Sequence, residues 1–359
     1  SRGLGYVYKR QEWIEQVSSE LHYNDKNLIE KVIRALSLLE MLVKAGCPLV
    51  FKGGTALMLI LGKSAHRLSI DIDLICPPGT NIEDYLKSFA DFGFINLELV
   101  ERKQRDDADI PKSHSKFFYQ IAYRNDTDAQ SYILLDVLYE DIHYFRTQQI
   151  AINCPFIRLE GKPLMVTVPS AEDILGDKLT AFAPNTTGIP YYRNGRSCSM
   201  EIAKQLYDVG RLFENVSDLQ ITKEAFRKIA VVELSYRSFG TDIGQVFNDI
   251  RQTALCISTR GKAGEGDFDL IQDGIIRVKS FMYKQRYLID HAIIDAARAA
   301  YLATLIEKGI NEIESYSNNP ADIKDMVIRP SLPNKLNKLR SNLPEAYYYW
   351  AKTSELLEA

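Results

Sequence analysis

Apolar residues recur with helical spacing over residues 25–46, and they predict a long amphipathic helix. The apolar positions are Leu28, Ile29, Val32, Leu36, Leu39 and Val43. Steps of three and four residues place such side chains on one face of a helix. Asp25 is a typical N-cap residue and Gly46 is a typical stop signal. We expect this helix to be the first element of the fold.

Short runs rich in β-branched and aromatic residues follow the helix and predict strands. They lie at residues 48–52, 69–76, 94–102, 116–124, 131–139 and 164–168. Helical patterns at residues 55–61 and 81–92 separate the first strands, which favours an α/β arrangement over a β-sandwich. After residue 170 the period becomes helical and continues to about residue 314. We therefore predict an α/β (α+β) fold, with a mixed sheet and flanking helices in residues 1–168 and a mainly helical domain in residues 169–359.

One stretch, at residues 184–199, interrupts the helical half and predicts a loop. It contains the turn-forming sequences Asn-Thr-Thr-Gly-Ile-Pro and Arg-Asn-Gly-Arg. Proline, glycine and asparagine break helices at both ends of it. Because loops of this length in compact domains often carry function, the stretch is a candidate functional segment.

Composition and charge narrow the classes of protein that fit the chain. Its 359 residues are 46% apolar and 25% charged, which is typical of a globular protein and excludes a disordered chain or a coiled-coil rod. The net charge of −3, from 44 basic and 47 acidic residues, provides no global field that would hold a polyanion. Any contact with nucleic acid therefore requires a local basic patch.

The segment near the end of the chain is the best sequence-local basic patch. Arg329, Lys335, Lys338 and Arg340 lie there among few acidic residues. Such a segment can contact the backbone of a nucleic acid. The alternative is a solvated charged face, which is the usual role of a run of charges.

Cysteine usage and hydropathy predict a cytoplasmic protein. The five cysteines, at positions 47, 76, 154, 198 and 256, lie far apart and form no CxxC pair, so we expect reduced thiols. No apolar run reaches the roughly 18 to 20 residues that a membrane span needs. The N-terminus also lacks the pattern of a signal peptide.

Gly53, Gly54 and Thr55 follow a predicted strand directly and open a predicted helix. Free backbone N–H groups and the helix dipole then face one point, which favours an anion such as a triphosphate. An ordinary turn uses the same residue types, so this motif alone leaves both interpretations open.

Asp71 and Asp73 lie two residues apart on a predicted strand, so their carboxylates point to the same face. They would stand roughly 6 to 7 Å apart. Like charges at this distance repel unless a cation lies between them, and hard oxygen ligands suit Mg²⁺. The alternative is the solvated face of an edge strand.

Asp136 interrupts an almost continuous apolar run at residues 132–139 and is a third candidate ligand. A buried charge is costly unless it is paired or bound to metal. If its strand lies beside that of Asp71 and Asp73, the three carboxylates can hold two Mg²⁺ ions for phosphoryl-type transfer. The alternative is an aspartate at a strand end that backbone donors hold.

Lys178 and Asp208 are the candidates in the helical half. Lys178 falls on the apolar stripe of a predicted helix that starts at Ser170, so its ammonium must either reach solvent or meet an anion such as a nucleotide phosphate. Asp208 lies four residues after Lys204 on the next helix. From the residues alone, an exposed ion pair between those two is the favoured interpretation of Asp208.

Several motifs together resemble one known family. Gly-Gly-Thr before a helix, followed by Arg-x-Ser-x-Asp-Ile-Asp-Leu at residues 67–74, resembles the first motif of the polymerase-beta-type nucleotidyltransferases. The closer resemblance is to the AbiEii/AbiGii toxin family within that superfamily. Residues 172–181 and 204–209 resemble the later lysine and aspartate motifs of this family. The joint occurrence in this order is specific, although each motif alone is not.

The resemblance implies a nucleotidyltransferase-type sheet and a role for each matched residue. Gly53, Gly54 and Thr55 would hold the triphosphate, and Asp71 and Asp73 would hold the metal. Lys178 would bind the nucleotide phosphates, Asp208 would be a further acid, and Asp136 matches the third carboxylate by its position on a strand. The active site is expected in a cleft that the helical domain completes.

The function implied by the resemblance is that of a toxin of a type IV toxin–antitoxin or abortive-infection system. It would transfer a nucleoside monophosphate from an NTP to an acceptor hydroxyl, with two Mg²⁺ ions and with tRNA as the first choice of acceptor. An antitoxin is expected as a functional partner, and no direct complex is predicted. The alternatives are a transferase that acts on a protein or small-molecule hydroxyl and an NTP-binding regulator without turnover.

Overall fold

The computed structural model describes residues 11–100, 112–121, 129–159, 161–216, 218–237 and 242–359. The chain divides into two compact units. The first unit comprises the chain through Ser170 together with the later segment Ser280–Arg286. The second unit comprises Ala171–Lys279 and Tyr287–Ala359. A short segment from late in the chain thus completes the first unit, a contribution that no sequence pattern indicated.

The first unit is built on a five-stranded mixed sheet with helices. Its elements in chain order are α1 (Gln11–Glu20), α2 (Lys26–Lys44), β1 (Val50–Lys52), α3 (Gly53–Leu61), β2 (Ile72–Cys76), β3 (Asn96–Val100), β4 (Lys112–Gln120), β5 (Gln130–Tyr139), β6 (Thr147–Ala151) and β7 (Met165–Pro169). The strand order is β1-β2-β5-β4-β3, in which only β2 and β5 are parallel. β6 and β7 form a separate antiparallel pair. The prediction of a mixed α/β sheet is confirmed.

Helix α2 follows its sequence pattern closely. Asp25 caps it, because its carboxylate accepts a hydrogen bond from the Leu28 N–H at 3.0 Å. Gly46 follows the last turn with φ +76°, a conformation that favours glycine. The apolar face of α2 packs on β2 and β5. The expectation that this helix comes first is wrong, since α1 precedes it and packs against it.

The predicted helix at residues 81–92 is wrong. The structure forms two 3₁₀ turns there, Ile82–Tyr85 and Phe89–Phe92. Aromatic and aspartate residues are weak helix formers, so burial of Ile82 and Leu86 in the core decides the local conformation.

The observed strands of the first unit differ from the prediction in several of their bounds and by one additional strand. β4 begins at Lys112, earlier than the predicted residue 116, because polar residues continue its pairing with β5. Parts of the predicted strands, at residues 101–102 and 122–124, lie outside the described residues. β6 was not predicted, because its sequence Thr-Gln-Gln-Ile-Ala carries little apolar signal.

The second unit is mainly helical, as predicted. Its elements are α4 (Ala171–Ala181), the short strands β8 (Tyr192–Arg193) and β9 (Arg196–Ser197), α5 (Ser199–Phe213), α6 (Leu219–Tyr236), α7 (Ile243–Ser258), α8 (Phe268–Val278), α9 (Ile289–Lys308), α10 (Leu339–Asn342) and α11 (Pro344–Glu358). α9 packs against α5, α7, α8 and α11 and is buried on nearly all sides. A helix that is apolar all round is expected at such a central position.

The segment at residues 329–340 keeps its basic side chains at the surface: Lys335, Lys338 and Arg340 are exposed and Arg329 is partly exposed. Arg329 lies 3.7 Å from Glu355 and 3.8 Å from Glu358, both on α11. Arg340 donates hydrogen bonds to the carbonyl oxygens of Ile323 and Lys324. The acids that are absent from the local sequence thus come from α11, and they neutralise part of the segment.

All five cysteines are free thiols, as expected. Over the ranges that the structure covers, no helix combines the length and the apolar character that a bilayer span requires.

Candidate active site

The Gly-Gly-Thr motif joins β1 to α3 without a connecting loop. β1 ends at Lys52 and α3 begins at Gly53, which has φ +78°. Thr55 is buried, and its hydroxyl donates a hydrogen bond to the Asp71 carbonyl oxygen at 2.7 Å. This bond ties the first turn of α3 to the residue that precedes β2.

The backbone of Gly53 lies directly against the Asp73 carboxylate. Lys52 and Asp73 are opposite each other in the antiparallel pairing of β1 with β2. A Cβ atom on Gly53 would stand 2.1 Å from the Asp73 Oδ2 atom, so only glycine permits this approach. The carboxylate therefore lies at the N-terminus of α3, where the helix dipole favours negative charge.

The second glycine is also packed against polar side chains. A Cβ atom on Gly54 would meet the Ser69 hydroxyl at 2.7 Å and the Arg67 guanidinium at 3.0 Å. Both residues belong to the Arg-x-Ser-x-Asp motif, but the sequence analysis gave them no role. Their positions four and two residues before Asp71 in the motif were the available signal, and the structure explains these positions by contact with Gly54.

Asp73 and Asp136 are neighbours across the sheet. β2 and β5 are adjacent and parallel, and the register places Asp73 directly opposite Asp136. Both residues are partly exposed, whereas Ile72, Leu135 and Val137 between and beside them are buried. Adjacent strands lie about 4.8 Å apart, so the two carboxylates share one face of the sheet at short range.

The register excludes two alternatives that the sequence left open. β2 is not an edge strand, because it lies between β1 and β5. Asp136 is not at a strand end, because β5 extends from Gln130 to Tyr139. Asp71 precedes β2 and is partly exposed, like Asp73.

His114 is a site residue that the sequence analysis missed. It lies on β4 directly opposite Asp136, and its Nδ1 atom is 2.5 Å from the Asp136 Oδ1 atom. The side chains of His114 and Asp136 are 12% and 35% exposed. The sequence did not indicate His114 because the predicted strand began at residue 116. Residue 114 was therefore outside the strand, and no cross-strand pairing with Asp136 could be predicted.

The site carboxylates suit a cation that is bound partly by the nucleotide. They do not form a site in which protein side chains supply every ligand. Within the described ranges, no three His, Cys, Asp or Glu side chains are grouped closely enough to hold a metal ion. Mg²⁺ commonly takes only one or two protein carboxylates and completes its shell with water and substrate phosphates. Asp73 and Asp136, opposite each other and accessible, match that smaller donor set.

Lys178 and Asp208 form a buried ion pair in the second unit. The Lys178 Nζ atom lies 3.1 Å from the Asp208 Oδ2 atom and 3.0 Å from the Gln205 Oε1 atom. The side chains of Lys178 and Asp208 are only 8% and 2% exposed. The alternative in which Lys178 reaches solvent is therefore wrong, and the anion that it meets in the structure is a carboxylate.

The interpretation of Asp208 as an exposed partner of Lys204 is also wrong. α5 packs against α4, α8 and α9, so more than its apolar stripe is buried. Asp208 faces α4, where Lys178 supplies its counter-ion. A single helical wheel misses this, because it assumes one buried face.

The comparison with protein families decides the assignment of the chain. The family described as nucleotidyl transferase AbiEii toxin, of type IV toxin–antitoxin systems, matches residues 36–321. The chain belongs to the AbiEii family. The match spans the Gly-Gly-Thr motif, both carboxylate strands and the Lys178–Asp208 pair, and it confirms the family resemblance found in the sequence.

Solved structures provide only distant likenesses to this AbiEii-family chain. JHP933 from Helicobacter pylori is 16% identical with a TM-score of 0.42, over 80% of this chain and 94% of that one. MenT4, a nucleotidyltransferase toxin from Mycobacterium tuberculosis, is 12% identical with a TM-score of 0.43, over 82% of this chain and 89% of that one. A comparison with curated proteins finds no match.

Family membership establishes the general activity. The AbiEii-family chain is a nucleotidyltransferase toxin, so an NTP is its substrate, and a type IV system includes an antitoxin.

The close approach of Gly53 to Asp73 predicts a specific cost for a side chain there. Gly46 is a matched control, since its φ of +76° is nearly the same and a Cβ atom there would meet no described atom within 4 Å. We expect Gly46→Ala to lose about 1 kcal/mol from left-handed strain alone. Gly53→Ala should lose about 1 to 3 kcal/mol more, because the methyl group displaces the Asp73 carboxylate. Chemical denaturation measures both, and equal losses would contradict the contact.

The buried ion pair predicts an asymmetry between single and double substitutions. Asp208→Ala should lower the free energy of unfolding by about 3 to 5 kcal/mol, because it leaves the Lys178 ammonium buried without its counter-ion. The double variant Lys178→Met/Asp208→Leu should be close to the wild type, because an apolar pair of similar volume removes both charges. Denaturant midpoints for the three proteins test this. A stable Asp208→Ala protein would show that the pair is open to solvent or ligand.

Proposed function

We propose that this toxin transfers a nucleoside monophosphate from an NTP to a hydroxyl group of tRNA, at a site centred on Asp73 and Asp136. The single observation that supports this site is the alignment of both carboxylates with the N-terminus of α3. A helix N-terminus binds the oxygens of a phosphate chain, and carboxylates beside it hold the accompanying cation. Nucleotidyl transfer requires both at one place.

The proposed roles follow from the positions of the side chains. The backbone N–H groups at Gly53, Gly54 and Thr55 would bind the triphosphate. Asp73 and Asp136 would supply the protein carboxylates for Mg²⁺, with Asp71 as the further candidate ligand beside Asp73 and two ions expected, and water and substrate phosphates would complete the shell. The bound cation would neutralise charge on the phosphates.

The proposed transfer forms one bond and breaks one bond at the α-phosphorus of the NTP. The acceptor hydroxyl oxygen forms a bond to the α-phosphorus, the bond from that phosphorus to the bridging oxygen breaks, and pyrophosphate leaves with the electron pair. The proton of the hydroxyl group would pass to the Asp136 Oδ2 atom. The Oδ1 atom is engaged by His114, whereas Oδ2 makes no hydrogen bond with a residue that the structure describes.

Lys178 and Asp208 are proposed to act in the same reaction, Lys178 on the nucleotide phosphates and Asp208 as a further acid. The Lys178 ammonium has three N–H donors, and Asp208 and Gln205 account for two of them.

The proposal predicts that transfer depends on Asp73 and on a divalent cation. The protein is incubated with total tRNA, MgCl₂ and each α-³²P-labelled NTP in turn. We expect label in RNA with one preferred NTP, at least about a hundredfold less with Asp73→Asn, and none after EDTA until MgCl₂ is restored. Asp84→Asn is the matched control, because Asp84 is an exposed carboxylate of the same unit, 59% exposed, outside the site.

The same assay separates the other functions that the sequence allowed. Label in protein or in a small molecule instead of RNA would reject tRNA as acceptor and keep the transferase. Absence of transfer to any acceptor, with NTP still bound, would favour a nucleotide-binding regulator. The net charge of −3 is the observation that favours a protein acceptor as the second candidate.

His114 is predicted to be a positioning residue that holds Asp136. His114→Ala should lower kcat by roughly 10- to 100-fold with little change in the KM for NTP, since it frees the Asp136 side chain without removing a phosphate contact. His114→Asn retains a donor and should recover part of the rate. His143→Ala removes a histidine that pairs with Glu140 in the same unit, 3.7 Å away, and should leave kcat unchanged. An unchanged kcat for His114→Ala would reject the role.

A further inference from the structure

The segment at residues 184–199 is not a plain loop, because it carries a short antiparallel hairpin. β8 and β9 are joined by Asn194 and Gly195, both with positive φ, 51° and 73°. Two central residues with positive φ form the turn that matches the twist of a two-stranded hairpin. Tyr192, Arg193 and Arg196 are exposed on it, together with both turn residues. We call residues 191–198 the arginine hairpin.

The two arginines of the hairpin face each other. Arg193 and Arg196 are directly paired across the strands. Like charges in such a pair destabilise a hairpin. Among the residues that the structure describes, neither guanidinium forms an ion pair or a side-chain hydrogen bond. An anion placed between them would remove the repulsion.

A third arginine, Arg237, lies near Arg193. Burial lowers the pKa of the Arg237 guanidinium below its usual value, Glu233 opposes this, and the charge of Arg193 lowers the pKa further. Arg237 donates a hydrogen bond to the Thr186 carbonyl oxygen at 2.7 Å, and its carboxylate partner, Glu233, is 3.7 Å away. Arg237 is paired with Glu233, so the unpaired positive charge of this side comes from Arg193 and Arg196.

A buried carboxylate anchors the segment that leads into the hairpin. The buried Asp249 carboxylate accepts hydrogen bonds from the Asn185 N–H at 2.9 Å, the Asn185 side chain at 2.8 Å and the Thr186 hydroxyl at 2.8 Å. At the other end, the Cys198 N–H donates to the Tyr191 carbonyl oxygen at 2.9 Å. These hydrogen bonds fix the chain on both sides of the hairpin, which reduces the ordering that a ligand has to supply.

The exposed tyrosine indicates the class of ligand. Tyr192 is 57% exposed and lies next to Arg193. Guanidinium groups bind phosphate oxygens with two parallel hydrogen bonds, and an exposed aromatic ring stacks on an unpaired base. An acidic peptide would use the arginines but would have no base for the ring. The combination fits phosphates and bases together.

We propose that the arginine hairpin binds single-stranded RNA of the acceptor, with its phosphates on Arg193 and Arg196 and a base on Tyr192. The inference rests on the proposed function in one respect, namely that the acceptor is RNA. It assigns acceptor recognition to a segment distinct from Asp73, Asp136 and the Lys178–Asp208 pair.

The test is binding of a short fluorescein-labelled single-stranded RNA of mixed sequence to the full chain, followed by anisotropy at several salt concentrations. Arg193→Gln/Arg196→Gln should weaken binding at low salt at least tenfold. It should also reduce the slope of log K against log salt by about 1.4, since each phosphate contact to a single strand contributes about 0.7. Tyr192→Leu should weaken binding about fivefold or more with the slope unchanged, because stacking carries no charge.

Controls make the result specific to the hairpin. Arg260→Gln alters an exposed arginine of the same unit that already pairs with Asp290 at 2.9 Å, and it should not change the affinity. The three hairpin positions are exposed, so the variants should unfold at or slightly above the wild-type midpoint, since the double glutamine variant removes the repulsion between the arginines. Asp73→Asn should bind RNA like the wild type, because binding does not require transfer.

Unchanged RNA affinity in the hairpin variants would overturn the inference even if the wild type labels tRNA. Equal weakening toward a poly-glutamate peptide and RNA, with no effect of Tyr192→Leu, would also overturn it in favour of a generic anion site. Conversely, label that enters protein while the wild type still binds RNA through the hairpin would reject tRNA as acceptor but not the hairpin as an RNA site.

Discussion

The contact between the Gly53 backbone and the Asp73 carboxylate is the constraint on which the candidate site depends. The contact exists because β1 pairs antiparallel with β2, which places Lys52 opposite Asp73. Since α3 begins directly after β1, Gly53 then lies against the Asp73 carboxylate. Strand pairing then aligns the remaining groups, since Asp136 lies opposite Asp73 and His114 lies opposite Asp136. A one-residue slip in either pairing would turn a carboxylate to the other face of the sheet.

The candidate charged residues differ between the two units in their exposure to solvent. In the first unit the carboxylates of Asp73 and Asp136 stay partly exposed, so they remain accessible to a cation and a substrate. In the second unit Lys178 and Asp208 are buried and satisfy each other. A buried ion pair contributes little net stability but is costly to break, so it holds α4 and α5 in one arrangement. The AbiEii family match includes both sets of residues.

Charge is distributed locally rather than globally in this protein. The net charge of −3 gives no attraction for RNA at long range. The segment richest in basic residues loses part of its field to Glu355 and Glu358, whereas Arg193 and Arg196 retain theirs on an ordered hairpin. Affinity for a polyanion therefore depends on which basic groups the fold leaves without a carboxylate, and a count of charges along the chain does not reveal this.

The sequence by itself determined the fold class and the family, because periodicity, turn residues and ordered motifs are local properties, and the same motifs supplied the candidate site residues. It identified Asp71, Asp73 and Asp136 as one set of carboxylates. Only the tertiary structure decided the rest, because burial and cross-strand register depend on residues distant in sequence. It brought His114 to Asp136 across β4 and β5, and it buried Asp208 against Lys178, where a single helical face predicted an exposed pair.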